Sequence, residues 1–436
     1  MDRRRFLELA ALGTAGSAGC AGDGGSGTAE PSETEPTRSR TTSPTSTGEP
    51  EPTATPREQP NAIFVDAEAG SNYGSGAADD PVATIQYALR AAEPGDTIRV
   101  RPGRHSGNVE TRGAGEPDAP ITVTGPPDAV FAPERGEAFL INHSHVHLRG
   151  LTFDGLHTPD RPDDPESYVE RLIAINPRAE NLATDVENPP ERMDDSAYLR
   201  DVVVKPDRIG NCRADLIKHQ YANDVEIGEF ETFGVAGAKF LKGDETGHNS
   251  EIVYLGISWP GDGYPPEQSH DIHVHHIDNS AGIPHAELVD CKPGLSDVTI
   301  EYCTDAGGSN EVIADDTTGG AVVIAGTDVT VRWNVLADGA QAGIEIDCDA
   351  AASEDPPPAA AAGGSNNAIY GNRLTGNDGL ALSLPYRSDG QGQADQRIVC
   401  GNEYDGETHG DPDDACGADV PAGDGIGHTG GDSPFA

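Results

Sequence analysis

Lysine is almost missing from this chain. Of 436 residues only five are lysine, Lys205, Lys218, Lys239, Lys242 and Lys292, and all lie mid-chain, whereas arginine is spread throughout. Lys+Arg total 29 against 74 Asp+Glu, a formal net charge of −45. So acidic a surface excludes nucleic acid and anionic membranes as partners. At about 1 M salt the Debye length is only about 3 Å, so such a surface suits a very salty medium. Against that background, a local group of lysines points to a local task. Hairpin signals such as Asn-Gly are scarce, which argues against a β-sandwich. No CxxC spacing suggests zinc.

The first residues read MDRRRFLELAALGTAGSAGC. Arg3 and Arg4, followed by Phe6 and Leu7, resemble a twin-arginine export signal. The apolar stretch behind them is too short to span a membrane. Ser17-Ala18-Gly19-Cys20 resembles a lipoprotein cleavage box with Cys20 as the lipidated residue. Residues 1–20 are therefore expected to act as an export signal, and 21–60, rich in Thr, Ser, Pro and Glu, as a disordered tether. The expected location is extracellular or anchored at the cell surface, with no membrane contact beyond a lipid anchor. Six further cysteines allow 15 pairings, of which Cys400–Cys416 would staple the tail.

A polar residue followed by alternating apolar positions recurs at Asp201, Asp224, Glu251, Asp271, Asp297 and Asp328, with weaker copies near Asn366 and Gln396. The starts differ by 23, 27, 20, 26, 31, 38 and 30 residues. Periods of this size, made of strands without intervening helices, predict stacked windings of a β-solenoid. Six residues after the last four starts come Cys303, Asn334, Asn372 and Asn402, which predicts a ladder of stacked asparagines. A short helix is predicted from about Val82 to Ala92. Residues 155–197 read as an excursion beside the coil. The solenoid is expected to occupy 61–403, with a Gly- and Asp-rich tail over 404–436.

Phe64-Val65-Asp66, Ala83-Thr84-Ile85-Gln86, Pro94-Gly95-Asp96-Thr97-Ile98, Pro120-Ile121-Thr122-Val123 and Gly150-Leu151-Thr152-Phe153 resemble the N-terminal part of right-handed parallel β-helix proteins, many of them polysaccharide lyases of the pectate-lyase-like kind. With the acidic composition, the whole is similar to an exported protein of a halophilic archaeon. The fold class expected is all-β, a single-stranded right-handed parallel β-helix with a short N-terminal capping helix.

Windings stack about 4.8 Å apart, so one strand position forms a file of side chains along the coil. Asp290 and Lys292 alternate with Val289 and Cys291 and should face outward. Asp347 and Asp349 occupy the matching IDCD run, and Glu287 lies near the strand start. Asp215, Lys218, Lys242 and Asp244 fall in similar registers. The resemblance implies Ca²⁺-assisted β-elimination on a uronic-acid polysaccharide by a monomer. Lys292 would be the base, its pKa lowered by neighbouring positive charge, with Lys242 second. Asp290, Glu287, Asp347 and Asp349 would hold Ca²⁺, and Arg332 and Lys218 would bind substrate. The alternatives are a non-catalytic glycan-binding or cell-surface protein and, third, a glycoside hydrolase.

Three weaker patterns remain. His273 and His275 share a strand face in DIHVHHI and could bind Zn²⁺ or Cu²⁺, but no third ligand lies in sequence reach, so solvent-facing histidines are expected. The acid pairs Asp194-Asp195 and Asp315-Asp316 lack the motifs of pectin hydrolases. Asn142-His143-Ser144 fits a glycosylation acceptor.

Overall fold

The acids that open the repeats answer to a backbone requirement. Asp201, Asp224, Asp271, Asp297 and Asp328 have φ between 51° and 57°, and Asn366 has 58°. Among residues with a Cβ, Asp and Asn tolerate this left-handed conformation best, because their short polar side chains bond locally. The chain turns a corner there, and the apolar residue after each corner aspartate (Val202, Val225, Ile272, Val298, Val329) is buried.

The computed structural model describes residues 62–134, 136–177, 194–238, 250–257, 267–307, 320–347, 363–384 and 396–408, with 416 and 420 beyond them. Among these, strands pair in parallel into a 17-stranded and a nine-stranded sheet. Successive windings give each sheet one new strand after another, the architecture of a right-handed parallel β-helix. In the larger sheet Ile98, Val123, Leu148, Val204, Ile227 and Val274 stand in register. In the nine-stranded sheet Ile173, Ile217, Val253, Val289, Val322 and Ile344 do the same. All twelve are fully buried. These two files belong to one core, and truncating any of their isoleucines or Leu148 to Ala costs about 2–5 kcal/mol.

Three expectations need correction. Glu251 does not share the corner position of the other repeat starts. It precedes the strand Val253–Leu255 of the nine-stranded sheet, so the winding from Asp224 to Asp271 is 271 − 224 = 47 residues long. The helix spans Ile85–Ala91, capped by Thr84, whose hydroxyl accepts from Tyr87 N–H; Val82 instead bridges in parallel to Val65. Within the expected excursion 155–197, Arg171–Ile175 is a strand of the nine-stranded sheet.

The asparagine ladder is present. Asn334 Nδ2 donates to Asn372 Oδ1 at 3.0 Å, and Asn372 Nδ2 to Asn402 Oδ1 at 2.9 Å. Cys303 continues it through its backbone N–H, which donates to Asn334 Oδ1 at 2.8 Å. Cys400 and Cys416 form a disulfide. Asn142 is buried and hydrogen-bonded to Thr111 and Glu110, which shuts it off from glycosylation. No helix among the described residues is long and apolar enough to cross a membrane.

Candidate active site

Two neighbouring files of side chains on the outer side of the nine-stranded sheet bring charge together. The register that aligns Ile173, Ile217, Val253 and Val289 also aligns the residues two places earlier: Arg171, Asp215, Glu251 and Glu287. One place later it aligns Lys218, Tyr254 and Asp290. Lys292 follows two residues on, its N–H donating to Leu255 O at 3.0 Å. Widely separated stretches of sequence thus place three cations and four carboxyls on one patch.

The contacts are close. Arg171 Nε donates to Asp215 Oδ2 at 2.9 Å. Lys292 Nζ forms an ion pair with Asp290 Oδ2. The Tyr254 ring lies between two ammonium groups, with Lys218 Nζ 4.4 Å and Lys292 Nζ 5.1 Å from its centroid, within cation–π range. Glu251, Glu287 and Asp290 each place a carboxylate oxygen within 4.8 Å of the others.

Asp290 was expected on an open surface and is 2% exposed. It does point away from the core that holds Val289 and Cys291. Its Oδ2 is paired with the Lys292 ammonium group. Glu251 and Glu287 are buried as well.

Burial and crowding separate the acid strengths. Burial, then the charge of Asp215, pushes Glu251 well above the usual carboxyl range. Burial and Asp290 push Glu287 up to about 8. Asp215 is buried too, but hydrogen bonding with Glu251 and the charges of Arg171 and Lys218 outweigh burial and hold it low. The contact between those two carboxyls is attractive only with a proton on Glu251. The lysines also diverge. Burial, with the charge of Arg171, lowers Lys218. Burial disfavours charge on Lys292 as well, but Asp290 and its neighbours outweigh that and raise it. The sequence reading, with Lys292 as the lysine of lowered pKa, is therefore corrected: the depressed amine is Lys218.

The three converging carboxyls suit a hard cation. They offer oxygen only, and among the described residues neither oxygen of Glu251 nor Oε2 of Glu287 accepts a hydrogen bond. Ca²⁺ takes such ligands at about 2.3–2.6 Å, so the residues fit it.

The other candidates lie elsewhere. Asp347 is in the file of Lys292, but Ala325 occupies the winding between them, so their backbones are about 10 Å apart. Arg332 is a correction: it stands on the larger sheet, its Nε 2.6 Å from Glu301 Oε2 and its Nη1 3.0 Å from the Tyr370 hydroxyl. Lys242, Asp349, Cys20, Asp244 and Asp315-Asp316 fall outside the described residues. Asp194 caps a short 3-10 turn by accepting from Ser196 N–H. Arg171, Glu251 and Tyr254 were missed as site residues.

On the larger sheet the histidines form a second cluster. His275 Nε2 is 3.1 Å from Glu226 Oε1 and His273 Nε2 is 2.9 Å from Glu301 Oε1. His275 is 2% exposed, which corrects the expectation of a solvent-facing ring there, whereas His273 is 41% exposed, as expected. The hydrogen bond from His275, then Lys205, holds Glu226 down at about 2.

No protein-family model matches this chain, and no curated protein matches its sequence. Among solved structures, the pectate lyase Pel9A is similar, with a TM-score of 0.52 and 12% identity over 82% of this chain and 79% of that one. An alginate lyase from Paenibacillus sp. str. FPU-7 has a TM-score of 0.49 and 16% identity over 80% and 99% of the two chains. The first likeness shows a shared fold, the parallel β-helix.

Proposed function

We propose that this protein cleaves a uronic-acid polysaccharide by β-elimination at the charged patch of the nine-stranded sheet. The observation that carries the reading is the placement of Lys218 and Lys292 on either side of Tyr254, next to Glu251, Glu287 and Asp290. β-Elimination needs a base that is neutral when it meets the proton alpha to the uronate carboxylate, and a positive charge that stays in place as negative charge builds there. The depressed amine of Lys218 serves as the base. Lys292, held cationic, attracts the uronate carboxylate. The proton passes to Lys218 Nζ, the C–O bond to the departing sugar breaks, and a carbon–carbon double bond forms in its place. Lys218, now an ammonium group, can return the proton to the departing oxygen. Glu251, Glu287 and Asp290 would hold Ca²⁺, which when bound supplies positive charge next to the uronate carboxylate.

This reading places the protein outside the cell, where such polymers occur, in line with the twin-arginine pattern at Arg3-Arg4. The direct test is the absorbance of the unsaturated product at high salt with Ca²⁺, on pectate, alginate and chondroitin in turn. An absorbance rise on at least one polymer is expected, and its loss in Lys218→Ala. Reducing ends released without unsaturation would replace elimination by hydrolysis. Glycan binding with no cleavage of any polymer would leave a binding protein, a role that the burial of Glu251 and Asp290 as a structural ionic knot favours.

A further inference from the structure

The histidine cluster lies on a different sheet from the proposed active site and is built from three windings. Glu226 belongs to the strand Ala222–Phe233, His273 and His275 to Ile272–Asn279, and Glu301 to Val298–Glu301. Register sets Glu226 beside His273 and sets Gly228 and Glu301 on either side of His275. The third ligand absent from the local sequence is therefore supplied by the previous winding, 273 − 226 = 47 residues away.

Three features prepare the site. The two imidazoles stack with centroids 4.3 Å apart and planes at 28°, which holds the rings side by side. Gly228 leaves the space in which His275 sits: a Cβ there would come within 1.9 Å of His275 O and 3.2 Å of its Cγ. The other nitrogen of His275, Nδ1, is 2.9 Å from Nδ1 of His276, a contact that fixes the ring and leaves Nε2 aimed at Glu226. One ligand atom each from Glu226, His273 and His275 lies within 4.8 Å of the others.

The charge balance admits a cation. Glu226, Glu229 and Glu301 face two fixed cations, Lys205 and Arg332, so the carboxylates outnumber them by one. Lys205 now shares Glu226, at 2.6 Å, but also holds Glu229 at 2.8 Å and keeps that partner if Glu226 turns to a metal. Two imidazoles and one carboxylate select borderline first-row ions over hard ones. Tetrahedral bonds of about 2.0–2.1 Å set ligand atoms about 3.4 Å apart. The pair of His275 and Glu226 is already at 3.1 Å, so mainly His273, which is 41% exposed, has to swing inward.

We propose that Glu226, His273 and His275 form a binding site for a borderline divalent cation of the Zn²⁺ class, which clips two successive windings together and leaves a coordination position open to solvent beside His273.

The test uses the full chain, stripped by chelator and kept at high salt with excess Ca²⁺ and Mg²⁺, which occupy the carboxylate sites. Zn²⁺ is titrated against a chromophoric competitor, and Co²⁺ is added separately to read visible d–d bands of nitrogen coordination. One equivalent of Zn²⁺ per chain is expected, with Co²⁺ bands of a low-symmetry site. His273→Ala should weaken Zn²⁺ at least tenfold and remove the bands. Glu226→Gln should weaken Zn²⁺ comparably, while Glu251→Gln leaves it unchanged. Thermal melts of the metal-free variants identify any that fail to fold, and His273, being half-exposed, is the variant least exposed to that failure. Absence of a stoichiometric site, or equal Zn²⁺ affinity in wild type, His273→Ala and Glu226→Gln, overturns the proposal. None of these readouts depends on polysaccharide cleavage.

Discussion

The two sheets use their charges in opposite ways. On the nine-stranded sheet acids stand next to acids: Asp215, Glu251, Glu287 and Asp290 crowd together under cover. On the larger sheet three acids each stand next to bases: Asp201 takes His145 and His147, Glu226 takes Lys205 and His275, and Glu301 takes His273 and Arg332. The first arrangement drives Glu251 and Glu287 toward neutrality, the second keeps its carboxyls ionised. Glu287 at about 8 and Glu226 at about 2 mark the two ends. Charge that folding must hold apart is what a substrate or cation can later relieve, whereas charge already paired mainly ties windings together.

The largest expected effect is on catalysis. Lys218→Ala should lower polysaccharide cleavage by about 10²–10⁴-fold, the usual contribution of a general base. Asn334→Ala, on the other sheet, should change stability and leave turnover as it was. Initial-rate assays on both variants make the comparison; equal losses would erase the functional difference between the sheets.

The next effect is a dependence of stability on pH with opposite signs at the two sites. Glu287 has a folded pKa raised from 4.5 to about 8. Its contribution is therefore complete below 4.5 and is lost as pH rises through about 8. Chelator-treated protein should lose melting temperature from pH 5 to 9, and Ca²⁺ should restore most of it at the alkaline end. Glu226 has a folded pKa lowered from 4.5 to about 2. Its contribution is present above 4.5 and is lost as pH falls through about 2, so Glu226→Gln should flatten the acid limb. Melting curves across pH read both effects, and a Ca²⁺ effect of equal size at pH 5 and pH 9 would break the contrast.

Two smaller effects calibrate the frame. Asn334→Ala strands the buried N–H of Cys303 and removes the Nδ2 donation to Ile300 O, while the backbone N–H of residue 334 still reaches Asn372 Oδ1; it should cost about 1–3 kcal/mol in denaturant unfolding. Arg373→Ala removes an exposed pair with Glu403 and should cost less than about 0.5 kcal/mol.

The winding and its core were legible because each corner needs a left-handed residue and each strand needs alternation, and both needs leave marks in the sequence. Asp290, Glu287, Lys218 and Lys292 were legible as neighbours for the same reason. The wider site was obscured by a second, overlapping series. RLIAI, DLIKH, EIVYL and ELVDC each place a charged residue before two aliphatics, starting at Arg171, Asp215, Glu251 and Glu287. Their spacings are 44, 36 and 36 residues, and they belong to the nine-stranded sheet. Reading Glu251 into the corner series hid it. Placing 155–197 outside the coil hid Arg171. Arg332 was misplaced because alternation tells which side of a strand a residue takes, not which face of the coil the strand belongs to. Burial of Asp290 was invisible to pattern, since alternation tells which side of a strand a residue takes and not what neighbouring groups leave of its exposure.

The left-handed corner aspartates also make the protein divisible. Each acts like the same step on every storey of a spiral staircase, wherever the landings differ in length. Excising 297–327, a stretch of 328 − 297 = 31 residues, would join Ser296 to Asp328 and deliver the chain to the next storey in phase. The staircase would be shorter by one rise of about 4.8 Å, with Ile272 meeting Val329 where Val298 had stood.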